Sequence, residues 1–129
     1  MNKKPRISNR DHGQYKAAFE AWMSEGTLDL AAKKLIGEGV VSFKGKPYSP
    51  AGVRWGAMRY MVLNYELTKP MLIENYEEHG YHIENDQIER YYIDMAKSTL
   101  GSVYRIKHWL IQHNLLEKHQ KYIESIMTL

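Results

Sequence analysis

Apolar residues return along this chain at spacings of three and four, and each run stops at a glycine or a capping residue. Tyr15, Ala18, Phe19, Trp22 and Met23 form one such stripe, the pattern of a helix with a single buried face. Gly26 ends it. Thr27 then caps a second helix through Leu30, Ala31, Leu35 and Ile36, closed by Gly37 and Gly39. Val40-Val41-Ser42-Phe43 is short and apolar, and Lys44-Gly45-Lys46-Pro47 follows as a turn. Ser49-Pro50 is the sharpest local signal, an N-cap followed by a proline at the first helical position. The helix it opens runs through Val53, Ala57, Tyr60 and Met61 to about Asn64.

The remaining chain continues the pattern. A fourth helix is expected from Thr68-Lys69-Pro70 to His79-Gly80, with Leu72, Ile73 and Tyr76 packed. Asn85 or Asp86 caps a fifth, with Ile88, Tyr91, Tyr92 and Met95 inward. A turn at Lys97-Ser98 leads to Thr99, which caps a sixth helix with Val103, Ile106 and Leu110 inward. A last segment carries Leu115, Tyr122, Ile123 and Ile126. The expected fold is a compact all-α domain with a small loop or wing at 40–48. Its parts are a basic arm at 1–11, one helical unit over 12–80 and a second over 81–129.

Composition narrows the chemistry. The 129 residues are 43% apolar and 26% charged, enough to bury a core. There is no Cys, hence no disulfide, thiolate metal site or thiol nucleophile; a cytoplasmic setting is expected. No apolar run reaches the ~18 residues of a membrane span. Ten Tyr and three Trp stand against two Phe, aromatics that suit half-buried surfaces. His79, His82, Glu84 and Asp86 cluster about Gly80, but no helix frames them, so no metal site, cofactor or small-molecule substrate is expected. Nor is there a phosphate-cradling glycine loop or a nucleophile elbow, and no catalytic residue is assigned.

The net charge of +3 hides a pattern. Residues 1–10 carry Lys3, Lys4, Arg6 and Arg10, and residues 33–59 carry six cations against Glu38. Seven acids gather at 66–90, read as a solvated acidic face. Residues 97–121 turn basic again, with Lys97, Arg105, Lys107, Lys118 and Lys121 against Glu117. Two basic blocks around an acidic spacer admit a polyanionic partner.

A capped second helix follows a first helix twice, and a shift of 50 relates the two. It matches Ser49 with Thr99, Val53 with Val103, Met61 with Ile111, Asn64 with Asn114, Ile73 with Ile123 and Glu74 with Glu124. Each pair reads as a helix-turn-helix, whose second helix lays its outer face in the major groove of DNA. On the helix from 50, Arg54, Trp55, Met58 and Arg59 are expected outward. On the helix from 100, Tyr104, Arg105, His108 and Gln112 are expected outward, with Lys107 flanking.

The motifs carry two resemblances. Ala31-Ala32, Gly39-Val40, Lys44-Gly45-Lys46-Pro47-Tyr48-Ser49 and Val53 occur in an order that resembles the helix-turn-helix segment of large serine recombinases. The resemblance covers residues 27–65, leaves no room for a recombinase catalytic domain, and implies only DNA binding. Val103-Tyr104-Arg105, Trp109-Leu110, Leu115 and Lys121-Tyr122 resemble the helix-turn-helix of regulators and of phage small terminase subunits, over residues 88–122. There the turn at Lys97-Ser98 departs from the usual pattern in lacking a glycine.

The expectation is a non-catalytic double-stranded DNA-binding protein of phage or bacterial origin, acting in transcription regulation or in DNA packaging. Ser49, Arg54, Arg59, Thr99, Tyr104, Arg105, Lys107 and His108 would meet DNA at the two capped helices. Lys44 and Lys46 would touch the flanking backbone, and Lys3, Lys4 and Arg6 would form an arm. The competing expectation is a helical adaptor that binds protein through Trp55 and Met58. Self-association as a homo-oligomer fits either.

Overall fold

The computed structural model describes residues 9–42 and 44–129; the arm residues Lys3, Lys4 and Arg6 lie outside them. Among the described residues the fold is all-α. Seven helices follow one another: α1 Asn9–Glu25, α2 Leu28–Gly37, α3 Pro50–Leu63, α4 Tyr65–Glu78, α5 Asn85–Thr99, α6 Val103–Gln112 and α7 Gln120–Ile126. Among the described residues no helix is long and apolar enough to cross a membrane. The chain divides into two compact units, Met1–Met61 and Val62–Leu129.

In the first unit, α1 packs along α2. Their core joins Ala18 and Ala21 to Ala31, Ala32 and Leu35, with Tyr48 and Val53 added from the following segment. Small residues let helices approach closely, and a Cβ added at Gly56 of α3 would stand 3.2 Å from that of Ala18. Phe19 and Tyr60 stack beside this contact, 5.3 Å apart. Thr27 caps α2 as expected, its side chain accepting from the amide of Leu30. Ser49 caps α3, its hydroxyl accepting from the amide of Gly52 at 3.0 Å.

Between α2 and α3 the chain makes a tight loop with one antiparallel bridge, Val41 to Pro47. Gln14 of α1 donates to the carbonyls of Val41 and Ser42, and the Tyr48 hydroxyl donates to that of Gln14. The loop is thus fastened to α1 at both ends. The connection occupies residues 38–49, against the three or four residues that join a helix-turn-helix pair. Helices α2 and α3 are therefore not joined by a helix-turn-helix turn.

The second unit is built on α5. α5 packs on α6; Ile88, Tyr92, Ile93, Met95 and Ala96 are buried on the one, and Ile106, Trp109 and Leu110 on the other. On α4, which the sequence groups with the first helices, Tyr65 and Thr68 turn to α5: the rings of Tyr65 and Tyr92 lie edge to face at 4.9 Å, and the Thr68 and Tyr92 hydroxyls are 2.6 Å apart. Burial of those side chains explains why α4 starts at Tyr65, ahead of the expected Thr68, and runs through Pro70. A proline there costs one backbone hydrogen bond, which the packed face offsets.

Candidate nucleic-acid interface

The boundary between α5 and α6 differs from the one the sequence suggests. Thr99 does not cap α6. It is the last residue of α5, buried, with its hydroxyl donating to the Met95 carbonyl at 2.8 Å. The turn is Leu100-Gly101-Ser102, and Ser102 is the cap, accepting from the Arg105 amide at 3.2 Å. Gly101 has φ +83°, a left-handed conformation in which a side chain is strained. The glycine that Lys97-Ser98 lacks is thus present three residues on. Gly followed by Ser is itself a stop and start signal, and Thr99 masked it.

This shift also removes the register of the 50-residue repeat. Ser49 is a cap and Thr99 is not. Val53 is fully buried, whereas Val103 is 52% exposed; Met61 is buried, whereas Ile111 is 53% exposed.

α6 is held from below by Trp109, whose indole N–H donates to the Val62 carbonyl at 2.9 Å in a buried contact. Ile106 and Leu110 lie on the same inner side. At 100° per residue the opposite side carries Tyr104, His108 and Ile111, with Lys107, Gln112, Arg105 and Val103 on its flanks. All seven are exposed. Tyr104 is more open than Val103 or Ile111, at 78%, and its ring stacks near-parallel to that of His108. No Asp or Glu occurs between Asp94 and Glu117. Among the described residues neither Arg105 nor Lys107 enters an ion pair. The site is a cationic helix face with apolar residues set into it.

No family model, curated protein or solved structure matches this chain.

In the first unit the structure separates the residues that the helical wheel puts together. Arg54 is exposed, as are Lys44, Lys46 and Ser49. Trp55 is partly open, its ring edge-on to Tyr15. Met58 and Arg59 are buried, at 5% and 7% exposure, and neither can serve as an outward contact. The Arg59 guanidinium lies over the Trp55 ring, 5.8 Å from its centre. From Gly56 to Val62 every residue of α3 is buried, so no outward stripe exists there.

The acidic block holds a second correction. Glu89 is not part of a solvated face. It is buried, and His119 is buried against it. One carboxylate oxygen lies 2.8 Å from His119 Nε2 and 2.8 Å from Lys118 Nζ; the other accepts from Lys69 at 3.0 Å and Asn85 at 3.1 Å. Burial pushes the Glu89 carboxyl up, but the bonds from Lys118, His119 and Lys69 outweigh it and hold the group at about 2. Asp86, Glu89 and His119 come within mutual metal-ligand reach, yet two lysines already occupy both Glu89 oxygens. His82 and Glu84, from the cluster about Gly80, pair at 2.8 Å in the open. No sequence pattern links Glu89 to His119, thirty residues on; only the packing of α5 brings them together.

Proposed function

We propose that this protein binds double-stranded DNA, with α5, the three-residue turn and α6 acting as a helix-turn-helix and α6 entering the major groove. One observation carries the reading: α6, set off by the Leu100–Ser102 turn and pinned by Trp109, turns an acid-free face outward with Arg105 and Lys107 unspent. The Ser102 cap takes the Arg105 amide, and the other N–H groups of the first turn suit a phosphate. Arg105, Lys107 and Gln112 are types that read base edges or bind phosphates. Lys44, Lys46 and Arg54 of the first unit are proposed as backbone contacts. The proposed role is regulation of transcription; recognition of DNA for packaging is the competing role, and a ring-sized oligomer in solution would favour it.

The test is binding of the intact chain to a labelled random-sequence duplex, followed by fluorescence anisotropy. Arg105→Ala and Arg54→Ala are each expected to weaken binding, by about 1–3 kcal/mol where the side chain reads a base. Unchanged affinity in both variants, or capture of the α6 face by a protein in place of DNA, would overturn the proposal.

A further inference from the structure

The outward face of α6 is not simply basic. Tyr104 and Ile111 sit at its centre and Val103 at its edge, and each has half or more of its surface in water. Large apolar groups placed among cations call for a surface that is anionic overall yet carries apolar points. On the floor of the major groove the apolar group is the C5 methyl of thymine. Charge complementarity selects the same occupant, since Arg105 and Lys107 flank these residues and α6 itself carries no acid; the acids that approach this face, Glu117 beside Ile111 and Glu117 and Glu124 beside Lys107, come from the segment after α6.

We infer that α6 reads thymine methyls through Tyr104 and Ile111, so that its site contains two T·A pairs at a fixed spacing. The inference rests on the DNA-binding reading above. Seven residues separate the two side chains, a rise of about 10.5 Å along the helix. At about 3.4 Å per base step that spans roughly three base pairs. Lys107 and His108 fall between them, over the intervening bases. Gln112, on the flank, has the amide that pairs with adenine N6 and N7, the partner of a contacted thymine.

The test uses the intact protein and a duplex recovered by selection from a random pool. Each thymine is replaced in turn by deoxyuridine, which lacks the methyl and keeps every hydrogen-bonding group. Two positions about three base pairs apart should each lose affinity about fourfold, the worth of one buried methyl. Tyr104→Ala should remove the deoxyuridine effect at one position and Ile111→Ala at the other, while Tyr104→Phe, which keeps the ring, should retain it. Both sites are exposed, so the fold survives the changes, and circular dichroism checks it. Salt-sensitive DNA binding that is indifferent to deoxyuridine everywhere would overturn this inference and leave the DNA-binding reading standing. Absence of DNA binding would overturn both.

Discussion

At the residue scale the most consequential side chain is one that the sequence disguises. Glu89 stands in an acidic stretch but folds into a buried centre with Lys69, Lys118 and His119. Its carboxyl is held at about 2, below the usual carboxylate range. A group with a depressed folded value stabilises the fold above its unfolded pKa, and that stability is lost as pH falls through the folded one. Thermal denaturation is therefore expected to show stability falling between about pH 4.5 and pH 2, by on the order of 3 kcal/mol. Glu89→Gln should be less stable at neutral pH, having left two lysines and a histidine without their partner, and should lack most of the acid dependence. An unaltered acid profile in that variant would place the titration elsewhere.

Elements show why some boundaries could be read and others not. Thr27 and Ser49-Pro50 are local signals, decided by which side chain can accept an orphan amide, and both caps form where the chain announces them. The start of α6 is also local, but two signals compete three residues apart. Thr99 loses because its methyl and hydroxyl are taken into the end of α5, leaving Gly101 to turn the chain. Space is open around Gly101, so Gly101→Ala should cost only the backbone strain, about 1–2 kcal/mol in urea denaturation. Ser102→Ala should cost about 1 kcal/mol as a lost cap, whereas Thr99→Ala should leave the α6 terminus unaffected by amide exchange. Equal protection of the first α6 turn in wild type and Ser102→Ala would contradict this assignment. The faces of α3 were beyond any wheel: its stretch from Gly56 to Val62 is buried at every position and has no stripe to read, and Met58 and Arg59 are buried with the rest of it.

For the molecule, the all-α class follows from periodicity, because repeated three- and four-residue spacings leave no other way to bury the apolar positions. The candidate site was legible in part. Tyr104, Arg105, Lys107 and His108 stand exposed on α6 as the spacing predicts, while Arg59 and Thr99 do not reach solvent. What could not be read is the long-range arrangement: Trp109 bonding to Val62, forty-seven positions away, fixes which side of α6 is free. The net charge of +3 is too small to bind a polyanion by itself; the proposed DNA binding depends on the local field of α6. The measurement that tests it most directly is a salt series of duplex binding by the intact chain and by the Arg105→Ala, Lys107→Ala double variant. Affinity should fall linearly on a log–log plot, with a slope of about −0.9 for each phosphate neutralised, and the double variant should bind more weakly with a slope shallower by about 2. Binding that ignores salt, or a double variant with the slope of the wild type, would contradict the claim that α6 meets DNA.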